Sequence, residues 1–433
     1  MTTPAFLRST FIISVALLLA GCGGSQPPVG APGAMQQNHP LAPSVPYQML
    51  YRFHPWEGTH PEARLLDVNG MLYGTTPAGG LSGKGTVYKV SRSGVERAIY
   101  RFRGGSDGSD PQSGLLDVNG TLYGTTYSGG GSGCYYALGC GTIFSVAPSG
   151  TEKVLYAFKG GSDGAYPTAG LIDVEGTLYG TTSRGGGAGC HTSESAGCGT
   201  VFSINASGQE TVLHSFAGSP DGSYPYVELI DVKGVFYGTT AEGGGSCYGG
   251  IGCGTVYSIT PAAVEKVLYA FKNGSDGNNP QSGLIDVNGM LYGTTSGGGQ
   301  AGSNCEYGNC GTVYRVSTKG AEKVLYRFAD GSDGAVPAAD LIEVNDVLYG
   351  TTTTGGGAGS CWAPDGNCGT VYSVTTSGAE TVVYRFTGGK DGWDPVAPLT
   401  NVNGTLYGTT RRGGHQDVCC QFYGFGTVFE LSP

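Results

Sequence analysis

The sequence predicts an all-β protein, a seven-bladed β-propeller of four-stranded blades, and three observations carry that expectation. The segment Leu-Tyr-Gly-Thr-Thr begins at Leu72, Leu122, Leu178, Leu291, Leu348 and Leu406, and Phe236 starts a seventh copy. Each copy lies in a repeat of about 56 residues holding four short segments rich in Val, Ile, Tyr, Phe and Thr, with no helical period. The recognisable ends are incomplete repeats: Tyr47 to Phe53 reads as an outer fourth strand and Thr427 to Leu431 as a third strand. If the two pair, the N-terminal strand completes the last blade and the ring closes without an exposed edge. An open β-solenoid of the same repeats is the runner-up.

Strands a to d of a repeat are illustrated by Gly114 to Val118, Leu122 to Thr126, Thr142 to Val146 and Lys153 to Phe158. Asn119-Gly120 joins a to b and recurs at Asn69, Asn288 and Asn403, the strongest short signal of a two-residue hairpin. Ser149-Gly150, with Ser93-Gly94 and Ser377-Gly378, is expected to join c to d as tightly. A longer Gly-rich loop ending in Gly141 separates b from c, so the unit is an antiparallel meander. Strand d is apolar on both faces, with Val154, Tyr156 and Phe158 expected on one and Leu155 and Ala157 on the other. That suits a sheet packed between two neighbours.

Glycine at 81 and proline at 22 of 433 residues approach the level of disordered chains, but 27 Tyr and 15 Phe recur periodically and supply a core. Only 13% of residues are charged, the net charge is −10 and no basic stripe appears, which argues against nucleic acid as a partner.

Residues 1–21 have the layout of a secretory signal: Arg8, an apolar stretch from Phe11 to Ala20 too short to span a bilayer, then small residues. Leu19-Ala20-Gly21-Cys22 resembles the lipobox of bacterial lipoproteins. That resemblance implies a lipidated Cys22 as mature N-terminus and attachment to a membrane through the lipid. Gly23, in place of Asp, implies outer-membrane sorting in a Gram-negative cell. Residues 22–46, rich in Pro, Gly and Gln, read as a tether of roughly 25–30 Å as a loose coil, and residues 47–433 as the propeller.

The motifs Leu-Tyr-Gly-Thr-Thr, Gly-Thr-Val-Phe/Tyr and Gly-Gly-Ser-Asp-Gly resemble the Gloeo/Verruco (GloVer) tandem-repeat family of exported, anchored bacterial proteins. The resemblance runs from about Tyr47 to the C-terminus. It implies the architecture and export, with a lipobox as this chain's anchor, and implies no activity.

Twelve further cysteines fall in b–c loops as Cys134/Cys140, Cys190/Cys198, Cys247/Cys253, Cys305/Cys310, Cys361/Cys368 and Cys419/Cys420. In the first five pairs the second Cys immediately precedes the Gly that opens strand c, and each pair is expected to close its own loop as a disulfide contributing about 2 kcal/mol. Thiolate metal binding is the rival, but no loop holds a His or second Cys pair spaced to complete a zinc site. Cys419-Cys420 departs from the pattern, as a vicinal disulfide, a free pair or an intermolecular link.

A meander of this order puts the a–b and c–d turns on one face and all b–c and d–a loops on the other. The long, disulfide-pinned loops mark the second face as the binding surface. It gathers Trp56, Tyr135, Tyr136, His191, Tyr224, Tyr248, Tyr307, Trp362, Trp393 and His415, of which Trp56, Tyr135, Tyr224, Tyr248, Tyr307, Trp362 and Trp393 are the candidate ligand contacts. The plainer account is that these rings pack the loops against one another.

Asp107, Asp163, Asp221, Asp276, Asp333 and Asp391 precede Gly in the d–a loops and read as turn residues in preference to calcium ligands. Asp67, Asp117, Asp173, Asp231 and Asp286, with Glu343 and Asn401, end strand a, where capping the adjacent turn is favoured over an acidic ring that holds a cation. The repeated threonines read as strand residues bonding within the sheet. No nucleophile-elbow, zincin or phosphate-loop motif occurs, and no cofactor is indicated. The expected role is an envelope or cell-surface scaffold binding a glycan or a protein. A glycan-active hydrolase or lyase and a purely structural envelope protein are the alternatives.

Overall fold

The computed structural model describes residues 45–131, 133–134, 138–187, 190, 197–245, 247, 250–299, 310–357, 361, 368–414 and 424–433. Seven four-stranded antiparallel sheets form the blades of a propeller. Blade one runs a (Leu66–Val68), b (Met71–Thr76), c (Thr86–Ser91) and d (Glu96–Arg101), and the next five blades follow the same order. Blade seven takes a to c from Thr400–Val402, Thr405–Thr410 and Thr427–Leu431, and its d strand from Tyr47–Arg52. Tyr47 lies opposite Leu431 and Arg52 opposite Thr427, so the N-terminal strand closes the ring as expected.

Asn69 and Gly70 have φ of 54° and 82°, the left-handed pair that a tight a–b hairpin requires. The c–d turns differ from expectation. Ser91 N–H donates to Val95 O and Gly94 N–H to Ser91 O, both at 2.9 Å, so three residues turn with Gly94 at φ 80°. A left-handed glycine closing a three-residue turn restores the strand twist.

Strand d also departs from simple alternation. Val154 lies opposite Phe144 but Tyr156 opposite Ile143, leaving Leu155 as a bulge, so Val154 and Tyr156 fall on opposite faces. The same shift recurs in the other blades, for example around Ile99 and Leu325. One extra residue bends and twists the outer strand where the blade is widest.

Packing explains the motifs. The Gly of Leu-Tyr-Gly-Thr-Thr pairs with the aromatic of Gly-Thr-Val-Phe/Tyr on strand c, as Gly74 with Tyr88 and Gly124 with Phe144. A Cβ on Gly74 would lie 2.6 Å from the Tyr88 hydroxyl, so the ring needs the missing side chain. That ring then meets a phenylalanine that follows strand d of the previous blade, edge-on: Phe53 to Tyr88 at 4.9 Å and Phe102 to Phe144 at 5.1 Å. Equivalent pairs run round to Phe386 and Phe429 at 5.3 Å.

The two threonines divide their work, which corrects the expectation that both bond within their sheet. The second does so, with Thr76 Oγ1 2.8 Å from Thr86 Oγ1. The first bonds the next blade: Thr75 donates to Ser113 O at 2.8 Å, Thr125 to Ala169 O at 3.0 Å, and Thr409 to Pro61 O at 3.1 Å across the closure.

Candidate functional site in the axial channel

The side chains at the channel are set by the segment between the d–a turn and strand a, which reads Pro-x-x-x-Leu in every blade. The residue before each proline has a left-handed backbone: His60, Asp110, Tyr166, Tyr224, Asn279, Val336 and Asp394, with φ between 54° and 63°. Such a conformation costs on the order of 1–3 kcal/mol for a residue with a Cβ, and most for β-branched Val336. What holds it is a hydrogen bond from the strained N–H to the carbonyl of the residue two before strand c. Tyr166 donates to Cys140 O and Tyr224 to Cys198 O, both at 2.8 Å, and Asp394 to Cys368 O at 3.1 Å. The second cysteine of a pinned loop therefore anchors the channel segment of the next blade.

Four disulfides stand as expected, Cys134–Cys140, Cys190–Cys198, Cys247–Cys253 and Cys361–Cys368, with Cα separations of 5.1–5.4 Å. Cys310 is also disulfide-bonded. Intrablade disulfides of this kind belong to an oxidising compartment outside the cytoplasm. No helix among the described residues is long and apolar enough to cross a membrane.

The third residue after each proline faces the channel, and here the sevenfold repeat breaks. Gly114, Gly170, Gly283 and Pro398 leave the axis open, whereas Arg64, Glu228 and Asp340 fill it with charge. Arg64 Nη2 lies 2.7 Å from Asp340 Oδ2, and Gly283 N–H donates to Asp340 Oδ1 at 2.5 Å. Arg64 Nε is out of solvent with no hydrogen-bond partner among the described residues. A Cβ on Gly170 would lie 2.7 Å from Glu228 Oε2, so that glycine makes room for the carboxyl. Protein surrounds Glu228 even though it borders the channel. That desolvation, with Asp340 adding to it and Arg64 opposing it, pushes its pKa up to about 7.

Arg64, Glu228, Asp340, Gly114, Gly170 and Pro398 line a cavity of ≈ 370 Å³, together with Gln112, Tyr127, Tyr226 and Gln281. At its rim Arg411 lies 2.5 Å from Asp394 and 3.6 Å from Glu62. Burial raises the pKa of Glu62, against the pull of Arg411.

The aromatic candidates are placed differently from one another. Trp56 is 58% exposed and stacks on His54 at 4.9 Å. Trp393 is half-buried beneath Arg412, at 4.9 Å, and packs on the cluster that holds Cys361 and Cys368. Tyr224 is only 4% exposed, stacked on Tyr226 at 6.0 Å with the Arg184 guanidinium 5.0 Å from its ring. Cys22, Tyr135, Tyr136, His191, Tyr248, Cys305, Tyr307, Trp362, His415, Cys419 and Cys420 lie outside the described residues.

The aspartates of the d–a loops bond backbone N–H groups of their own turns, and in the second series Asp117 and Asp231 do the same. Asp107 accepts from Tyr100 Oη at 2.9 Å and from Arg103 N–H at 3.0 Å. Asp117 accepts from Gly120 N–H at 2.8 Å and Asp231 from Gly234 N–H at 2.7 Å. Sequence reading missed the Arg64, Glu228 and Asp340 group. Its signal was present: one offset from the repeat proline is Gly in three blades and charged in three others.

The family model of the Gloeobacter/Verrucomicrobia repeat matches residues 40–193, 191–364 and 249–433. No curated protein matches the chain by sequence. Among solved structures, the PQQ-bound aldose sugar dehydrogenase from Streptomyces coelicolor is similar at 11% identity and a TM-score of 0.44, covering 90% of this chain and 99% of that one. A gluconolactonase from Xanthomonas campestris is similar at 14% identity and a TM-score of 0.37, covering 67% of this chain and 78% of that one. These likenesses carry nothing past the propeller architecture already described.

Proposed function

We propose that this chain, which belongs to the Gloeobacter/Verrucomicrobia repeat family, is an exported binding scaffold that takes a saccharide unit of a glycan into its axial cavity from the disulfide-pinned face. One observation carries the reading: three unlike charged groups from three blades converge where four blades leave the axis open. A pocket that joins carboxyl, guanidinium and amide groups with the rings of Tyr127 and Tyr226 offers what a polyol ring needs, hydrogen-bonding groups beside apolar faces. A lipid on Cys22 would tether the scaffold to a membrane.

The test is calorimetric titration of a panel of oligosaccharides into wild type and Gly114→Phe. A Cβ at Gly114 meets only ordinary contacts, 3.8 Å from Arg64, so the backbone there accepts a side chain. Binding by wild type that is lost in a variant melting within a few degrees supports the reading. Equal binding by both removes the cavity from it.

A second reading, a glycan-active enzyme, is favoured by Glu228 alone. A carboxyl with a pKa of about 7 is protonated often enough at neutral pH to act as a general acid. Sugar release from a polysaccharide by wild type and not by Glu228→Gln would move the assignment to that class.

A further inference from the structure

Between neighbouring blades the outer strands form grooves built to one plan. A tyrosine on strand d donates to the aspartate of its own d–a turn, as Tyr100 to Asp107 at 2.9 Å, Tyr269 to Asp276 at 2.8 Å and Tyr326 to Asp333 at 2.7 Å. A glutamate that opens strand d of the following blade comes up against the same pair: Glu152, Glu322 and Glu380 respectively. Glu265 is the equivalent residue in blade four, and its Oε1 is out of solvent and without a hydrogen-bond partner among the described residues.

The groove between blades three and four differs in one residue. His214 stands where Tyr100, Tyr156, Tyr269, Tyr326 and Tyr384 stand in the sister blades. Its Nε2 lies 3.1 and 3.2 Å from the two oxygens of Asp221. One donor atom each of His214, Asp221 and Glu265 can be chosen so that all lie within 4.8 Å of one another. Ala217 N–H donates to Asp221 Oδ2 at 2.9 Å and fixes that carboxylate from outside.

We propose that His214, Asp221 and Glu265 form a divalent transition-metal site, Zn²⁺ by the chemistry of its donors, which ties blade three to blade four at the outer rim. A neutral phenol in this position is a donor and fills the gap between two carboxyls. An imidazole offers a lone pair instead, and one dication balances two carboxylates. Zinc takes imidazole nitrogen and carboxylate oxygen at roughly 2.0–2.2 Å, so donors in a tetrahedral shell sit about 3.3–3.5 Å apart. The His214–Asp221 spacing of 3.1–3.2 Å needs to open by roughly 0.2 Å, and Glu265 needs a side-chain movement on the order of 1 Å. Water completes the shell.

The experiment uses tag-free, chelator-dialysed full-length protein, with Zn²⁺ titrated by calorimetry and thermal melts run beside it. His214→Tyr is the decisive variant, because it installs the residue that the sister blades carry and so keeps the fold. Wild type should bind one equivalent more than His214→Tyr and melt higher with Zn²⁺, while the variant should not respond. Glu265→Gln should weaken the site by at least about 10–100-fold, the loss seen even for outer-shell partners. Tyr269→His, which places an imidazole beside Asp276 and Glu322, should add a second equivalent. Equal Zn²⁺ uptake by wild type and His214→Tyr would overturn the proposal and leave His214–Asp221 as an ion pair. A Tyr269→His protein that gains no equivalent would show that this donor set does not suffice, and would overturn it equally.

Discussion

Arg64 and Asp340, 276 residues apart in the chain, form a 2.7 Å ion pair between the first and sixth blades inside the channel. One guanidinium thus pairs with Asp340 and also opposes the rise in the Glu228 pKa. Arg64→Met should therefore raise the Glu228 pKa above its value of about 7, read from carboxyl titration by NMR or infrared spectroscopy. Stability should fall by about 1 kcal/mol, less than for a fully buried pair, since the Arg64 side chain is 36% exposed. An unchanged Glu228 titration would mean that the guanidinium does not govern the site.

Tyr88, Tyr257, Tyr314 and Tyr372 are fully buried, and each hydroxyl lacks a hydrogen-bond partner among the described residues. Sister blades carry Phe144, Phe202 and Phe429 at the same place. Replacing all four tyrosines with Phe should be neutral or stabilise the protein by up to about 1 kcal/mol each, because an unsatisfied buried hydroxyl is removed. A chemical denaturation curve decides it, and a clear loss of stability would reveal partners for those hydroxyls.

Burial pushes Glu96, Glu210 and Glu380 up to about 7, with neighbouring Glu57, Asp163 and Asp333 respectively adding to the shift. Below their ordinary pKa of 4.5 these carboxyls are protonated folded and unfolded alike. Between there and about 7 the folded chain keeps protons that the unfolded chain has released. Their stabilising contribution is thus complete at the acid end of that window and lost as pH rises through about 7. The melting temperature should fall from about pH 5 to 8, and the triple Glu→Gln variant, which mimics the protonated form, should flatten that slope. Parallel slopes for the two proteins would contradict the assignment.

Deleting residues 47–53 removes strand d of blade seven and bares the Thr427–Leu431 edge. The same deletion takes away the Phe53–Tyr88 contact and the Tyr47–Tyr384 stack at 4.4 Å. The truncated protein should melt lower and self-associate through the open edge, as light scattering after gel filtration would show. A monomer that melts like the parent would mean that the closing strand adds nothing to the ring.

The sequence by itself determined what short stretches of chain can specify. Asn69-Gly70 sets a hairpin because both residues take left-handed φ at low cost, and the paired cysteines close loops of six to eight residues' separation. The repeat period then fixed seven blades, and the two incomplete ends fixed how the ring closes. Tertiary structure alone decided which side chains meet. Strand d was misread at Leu155 because a bulge is a property of the pairing with strand c, and alternation in one strand cannot show it. Thr125 was misread because its acceptor, Ala169 O, belongs to the next blade. Arg64, Glu228 and Asp340 each occupy an unremarked offset in their own repeats, and so do His214 and Glu265. They become sites only when ring closure brings blades one, four and six to a common channel, and when blade three packs on blade four. Contacts of that kind depend on the path of the whole chain, whereas turns and periods depend on a few adjacent residues.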